Sequence, residues 1–252
     1  SLRSGVAALV FLLVLSDARR RPSAPALLVA CAYASTMLSF ALANRLTTGA
    51  SAVFLQATAP FWVLLLAPWL LRERASRRDV VAMGILAAGM ALFFVGTDAP
   101  SITAPSPLAG NVLALVSGVS WALTVIGFRR LGRGAASTSG PAVASALVGG
   151  NAIAFFVGLP AAWPIETISL GDATIVGWLG AFSIALAYVL FARGVREVSA
   201  LEASLICLIE PTLNPVWTWL VHGEQPRVWS LVGGAVILGT TVVKTWLDTR
   251  TR

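Results

Sequence analysis

Apolar residues run along this chain in long stretches. Nine of them can be read: Gly5 to Ser16, Ala26 to Ala43, Ala50 to Leu71, Val80 to Gly96, Pro107 to Phe128, Pro141 to Trp163, Ala173 to Ala192, Ser199 to Val221 and Val228 to Trp246. Most have the roughly 17 to 25 residues that a helix needs to cross about 30 Å of hydrocarbon. The pattern predicts an all-α polytopic membrane protein with about nine spans in this chain. The first stretch is short, and Asp17-Ala18-Arg19-Arg20-Arg21 follows it where a secretory signal would have a small-residue cleavage site. It reads as the tail of a transmembrane helix.

Composition agrees: 57% of residues are apolar and 12% charged, where soluble domains carry about a quarter charged. The net charge of +7 would suggest nucleic acid or acidic partners in a soluble protein, but its placement argues against that. Of 18 basic residues, 15 lie in alternate connections and at the C-terminus: Arg19 to Arg21; Arg72, Arg74, Arg77 and Arg78; Arg129, Arg130 and Arg133; Arg193 and Arg196; Lys244, Arg250 and Arg252. The opposite connections hold Arg45 and Arg227 with Asp98, Glu166, Asp172 and Glu224. This is the positive-inside signature; it predicts a bacterial-type inner membrane with the C-terminus in the cytoplasm. Cys31 and Cys207 lie in apolar stretches of different helices and read as small packing residues, with neither redox chemistry nor a metal site suggested.

A shift of 151 residues superposes Phe40-Ala41 on Phe191-Ala192, Arg45 on Arg196, Ala52 on Ala203, Pro60 on Pro211 and Glu73 on Glu224. With one residue removed, Gly84 and Gly89 fall on Gly234 and Gly239. The unit holds five helices, an odd number, so the second copy enters the membrane from the opposite side. An inverted repeat of five-helix units is expected, the first over residues 1–98 and the second over 99–252. The helix from Pro107 has no mate in the first copy, so the full protein is expected to have ten spans, with roughly 40 to 50 residues preceding Ser1.

Two copies of an alanine, proline and loop-glutamate run, Ala52 to Pro60 with Glu73 and Ala203 to Pro211 with Gly223-Glu224, and the run Ser120-Trp121-Ala122 before Arg129-Arg130 carry a resemblance. In them, and in its five-plus-five layout, the chain resembles the ten-helix EamA family of the drug/metabolite transporter superfamily. The resemblance implies a secondary transporter that moves small metabolites, including amino acids, by alternating access, often at the expense of a proton gradient.

Glu210 lies about eleven residues into its stretch, near the bilayer midplane, where an acidic residue costs roughly 2.5–3.5 kcal/mol on insertion scales. Either it lines the path and carries protons or a substrate ammonium, or it bonds a neighbouring helix or pairs with Arg3. Asn214 and Trp217 follow one and two turns on, on the same stripe. Pro60, Pro211 and Pro215 are hinge candidates, or static kinks, because each removes a backbone donor. Ser117, Ser120, Trp121 and Thr124 form a stripe that either faces the cavity or joins helices. Gln56, Trp62 and Tyr188 are further candidates for a mostly apolar pocket with a few polar handles; a lipid-facing or packing role is the other reading of Trp62.

Trp69, Trp163, Trp229 and Trp246 read as interfacial belt residues. Gly84, Ala88 and Gly89 with Gly233, Gly234 and Gly239 offer small-residue faces, for packing within a monomer or in a dimer. Glu73 and Glu224 read as structural. The expected partners are a small-molecule substrate and the lipid bilayer, with no nucleic acid, cofactor or metal and no catalytic residues. Rival classes are a passive channel or facilitator and a membrane-embedded enzyme; the one histidine, His222, sits at a helix end with no ligand cluster in the sequence.

Overall fold

The computed structural model describes residues 1–15, 18, 22–47, 49–73, 75–92, 105–133, 140–163, 169–213, 220 and 228–250. Among these, every regular element is helical. The helices are α1 (Leu2–Val14), α2 (Ala24–Leu46), α3 (Gly49–Gln56), α4 (Ala59–Leu70), α5 (Arg77–Leu92), α6 (Pro107–Gly132), α7 (Pro141–Gly158), α8 (Leu170–Trp178), α9 (Ala187–Gly194), α10 (Ala200–Ile206), α11 (residues 209–213) and α12 (Val228–Arg250). A π-helical stretch, Leu179–Leu186, joins α8 to α9. Five helical runs are long and apolar enough to cross a membrane: Ala24–Leu46, Ser51–Leu70, Pro107–Gly132, Pro141–Gly158 and Leu170–Gly194. The outward faces are apolar too: Leu28, Leu65, Phe156 and Leu190 are each more than half exposed, as lipid contact requires and water contact disfavours. The protein is an all-α, multi-pass membrane protein.

The chain forms two compact units, Ser1–Ala41 with Val119–Ser199, and Leu42–Gly118 with Ala200–Arg252. Each draws helices from both sides of residue 98.

In the first unit α1 packs against α7 and the π stretch. Its buried face is Ser4, Ala7, Ala8 and Phe11, spaced by three and four as one helical stripe requires. Ser169 and Asp172 start α8 with a capping box, the Asp172 N–H donating to Ser169 Oγ at 3.1 Å and the Ser169 N–H to Asp172 Oδ2 at 3.1 Å. Arg129 of α6 donates to the carbonyls of Val195 and Arg196 just past the end of α9, where a helix dipole favours a cation. Trp178 and Phe182 stack at 4.2 Å on an exposed face. Cys31 is also exposed rather than packed.

In the second unit α5 packs against α12 and α4 against α10. Under the 151-residue match α5 and α12 are repeat mates, whereas α10 is the mate of α3, the segment before α4. Gly89 of α5 lies against Gly233, Val236 and Ile237 of α12, so part of the small-residue face serves helix packing within the chain; Gly84 and Gly239 face open space. At the end of α4, Arg72 takes a left-handed conformation, φ 57°, which costs an L-residue roughly 1–2 kcal/mol. The second copy of the run carries glycine at this place, Gly223. The turn brings the Glu73 carboxylate to the first turn of α10, where Oε2 accepts from the Ala200 N–H at 3.1 Å, the structural role expected for it.

Ser76 and Asp79 cap α5 reciprocally: the Ser76 N–H donates to Asp79 Oδ2 at 2.6 Å and the Asp79 N–H to Ser76 Oγ at 3.2 Å. Lys244 of α12 pairs with Asp79 Oδ1 at 2.9 Å and is itself buried. Burial pushes the Asp79 carboxyl up, but the Ser76 N–H and Lys244 outweigh it and hold the carboxyl below its ordinary value. A lowered folded-state pKa gives stability that is present above the ordinary carboxylate range and lost as pH falls through the lowered value. Acidification through that range is therefore expected to lower the melting temperature in detergent, and Asp79→Ala to flatten that part of the profile. The substitution should cost about 3 kcal/mol or more at neutral pH, because it leaves the buried Lys244 ammonium without its partner.

Candidate functional site

The second unit contains two interrupted helices. Pro60 has no N–H to give the carbonyl of Gln56, four residues earlier, so the run from Gly49 turns at Ala57-Thr58 before α4 begins. Pro211 stands in the same relation to Cys207, and α10 gives way to a turn at Cys207-Leu208 before residues 209–213 resume the helix. A single kinked span was expected in each place; the structure has a turn between two helical segments.

Polar side chains gather at the first interruption. Thr58 donates from Oγ1 to the Leu55 carbonyl at 2.6 Å and accepts from Trp62 Nε1 at 3.3 Å. Gln56 Nε2 donates to Ser117 Oγ on α6 at 2.8 Å. Gly118 allows this approach: a Cβ there would stand 2.9 Å from the Leu55 carbonyl oxygen and 3.3 Å from that of Gln56. Gln56 and Trp62 are half-buried, Ser117 fully buried.

At the second interruption the Thr212 hydroxyl donates to the Leu208 carbonyl at 2.7 Å. Glu210 is exposed, and no hydrogen bond or ion pair holds it among the described residues. Asn214, Pro215 and Trp217 lie outside the described residues.

The first unit holds an aromatic cluster. Tyr33 lies 4.7 Å from Tyr188 and 6.1 Å from Phe128, ring centroid to centroid. Trp121 is stacked on Phe191 at 5.3 Å and edge-on to Tyr188 at 6.1 Å. Trp121, Tyr188 and Phe191 are half-buried, whereas Tyr33 and Phe128 are fully buried. Gly150 lets α7 approach here, since a methyl in its place would overlap the Tyr33 ring. Asn151, also buried, donates from Nδ2 to the Leu147 carbonyl at 2.9 Å and to the Tyr33 hydroxyl at 3.3 Å.

Ser120 serves a helix–helix contact, and Thr124 bonds back to its own helix. The Ser120 and Ser35 hydroxyls are 2.9 Å apart across α6 and α2, and Thr124 donates to the Ser120 carbonyl at 2.8 Å. The α6 stripe is thus divided, with three buried hydroxyls bonded and the Trp121 ring only partly buried. Of the sequence-selected residues, Gln56, Trp62 and Ser117 meet in one cluster, and Trp121 and Tyr188 in another. Thr58, Tyr33 and Asn151 were not among the sequence candidates. Each is a polar side chain inside an apolar stretch, the one signal that could have marked it.

Tryptophans 69, 163, 229 and 246 are exposed near helix ends, where a belt residue belongs. Among the described residues no three His, Cys, Asp or Glu side chains form a group able to hold a metal.

A family model described as the EamA-like transporter family matches residues 108–245. The chain is similar to an uncharacterized transporter of Clostridium kluyveri, 26% identical over 230 residues, covering 86% of this chain and 69% of that one. It is also similar to an uncharacterized transporter of Archaeoglobus fulgidus, 27% identical over 225 residues, covering 82% and 71%. A solved crystal structure aligns with 98% of this chain and 86% of its own at a TM-score of 0.77 and 18% identity, a likeness of fold.

Proposed function

This chain belongs to the EamA-like transporter family, and on that premise we propose that it is a secondary transporter that exports small metabolites, amino acids or related amphipathic compounds, across the inner membrane by alternating access. The observation that carries the reading is the pair of interrupted helices at Pro60 and Pro211, matched positions in the two copies of the repeat. Interrupted spans are tolerated in a membrane where they line a cavity, and in transporters built from inverted repeats they form the site near the midplane.

Gln56 and Trp62 at the first interruption, and separately Trp121 and Tyr188 in the aromatic cluster of the other unit, each offer the mixture of apolar and hydrogen-bonding groups that an amphipathic substrate needs. Glu210 follows the second interruption and serves as the proton-coupling group, with Asn214 and Trp217, which the sequence spacing alone sets one and two turns on, as further path-lining candidates. An ionised carboxylate facing hydrocarbon is too costly to keep, so an exposed mid-span glutamate implies water, a cation or a proton beside it. The prolines act as hinges, the C-terminus faces the cytoplasm, and no step of covalent chemistry is assigned to the chain.

Counterflow separates a carrier from a passive channel. Proteoliposomes preloaded with unlabelled substrate, found by export profiling against a metabolite panel, are expected to take up labelled substrate faster than empty ones, with saturation. Uptake that neither saturates nor responds to preloading would make the protein a channel.

A further inference from the structure

The first unit has a narrow crevice where the end of α9 lies beside the start of α7. Val143 and Leu147, one turn apart on α7, form one wall. Val189, Ala192 and Arg193 of α9 form the other, and Arg196 follows just past the helix end. Leu147 and Val189 lie a turn further into their helices than Val143 and Arg193. The crevice is therefore apolar in its depth and cationic at its mouth.

The mouth is at the end of a membrane span. The run Leu170–Gly194 is long and apolar enough to cross a bilayer, and Arg193 is in its last turn, where an arginine reaches headgroup level. Arg193 is exposed and holds no hydrogen bond or ion pair among the described residues. Arg129, by contrast, is engaged with the carbonyls of Val195 and Arg196. The stem of Arg196 runs across Gly132, where an added Cβ would overlap it, and this fixes the stem beside the crevice. At these adjoining ends of α6 and α9 the described residues carry five arginines, at 129, 130, 133, 193 and 196, against one acid, Glu197.

The space is about 260 Å³ with its open side included, less than the roughly 300–1,000 Å³ of pockets that enclose a small-molecule ligand. A free phosphate would leave its apolar walls unused. A phospholipid uses both parts: its phosphate oxygens accept from guanidinium N–H groups while an acyl chain covers the apolar side chains. A zwitterionic headgroup would bring its own ammonium among five arginines, so the charge balance favours an anionic one.

We propose that this crevice is a site for an anionic phospholipid, whose phosphate meets Arg193 with Arg196 beside it and whose acyl chain lies against Val143, Leu147 and Val189. The assignment needs only that the chain spans a membrane, and it holds whether or not the chain transports.

Native mass spectrometry of the whole chain in detergent, titrated with equimolar dioleoyl phosphatidylglycerol and dioleoyl phosphatidylcholine, counts the lipids bound per chain. The two probes share their acyl chains and differ in headgroup charge. Wild type should prefer the phosphatidylglycerol by about tenfold, the worth of one charge-assisted hydrogen bond. Arg193→Gln should erase that preference. Arg130→Gln removes another exposed arginine, one that does not line the crevice, and should change the preference by about twofold at most. Val189→Trp, which fills the crevice from a half-buried position, should weaken the binding of both lipids. Glycerol phosphate, an anion with no acyl chain, should fail to displace the lipid even in large excess.

Equal losses in Arg193→Gln and Arg130→Gln would reduce the effect to general surface charge, and equal binding of the two lipids by wild type would remove the anionic assignment. Displacement by glycerol phosphate would make this a free-anion site and overturn the lipid, as would full binding by Val189→Trp. If Val189→Trp fails to fold, the glycerol phosphate competition still decides.

Discussion

Glu210→Gln is expected to lower proton-driven flux by about tenfold or more while leaving counterflow, which needs no proton gradient, largely intact. The substitution keeps the shape and polarity of the side chain and removes only its capacity to take and lose a proton. Glu210 is exposed at the start of the helical segment that follows the second interruption. No described residue holds it, so little packing is at stake and the folded protein should survive. The measurement is uptake into proteoliposomes with and without an imposed pH gradient. Wild type should respond to the gradient and the variant should not. If the variant still accumulates substrate in response to the gradient, the coupling role is lost; if counterflow disappears with it, Glu210 belongs to substrate binding instead.

Gly118→Val is expected to destabilise the protein by about 3 kcal/mol, and to impair transport even at temperatures where the fold persists. A Cβ at this position would stand 2.9 Å from the Leu55 carbonyl oxygen and 3.2 Å from Thr58 Oγ1. The first of these is backbone, which cannot swing aside as a side-chain tip can, and overpacking of this kind typically costs about 1–3 kcal/mol, occasionally more. A branched side chain would force α6 away from the α3–α4 turn and separate Gln56 from Ser117. Thermal unfolding in detergent gives the stability, and counterflow after reconstitution gives the activity. Gly84→Val, where nothing stands within 4 Å of the added Cβ, is the control and should change stability little. Equal losses at both sites would mean that the close approach at Gly118 has no special weight.

The helical, membrane-spanning nature of the chain is legible in its apolar stretches, because hydrocarbon leaves a backbone no other partner than itself. Ala24–Leu46 and Pro107–Gly132 cover the predicted stretches and extend past both ends of the first and the C-terminal end of the second. The roles of the α6 stripe were not legible. Ser117, Ser120, Trp121 and Thr124 look alike as a sequence pattern, yet three are bonded and buried while Trp121 is only partly buried. A hydroxyl can satisfy a neighbouring helix or face a pathway, and only the neighbour's position decides which. Asn151 and Tyr33 escape a sequence reading for a related reason: neither lies on the repeated run that marks Pro60, Gln56 and Glu210.

Sequence by itself determined that this is a polytopic membrane protein, that prolines and loop glutamates match under a 151-residue shift, and at which prolines its helical bonding would be broken. These follow from local chemistry: apolar length, charge placement and the missing proline N–H act through a few residues of chain. Tertiary structure alone decided that α5 packs on α12 and α4 on α10, that Glu73 caps α10 from 127 residues away, and that Asn151 of α7 meets the Tyr33 hydroxyl of α2. Those contacts depend on which helix faces rest against each other. Helices that are apolar nearly all round leave that choice to small residues, buried hydroxyls and single close approaches such as Gly118 and Gly150.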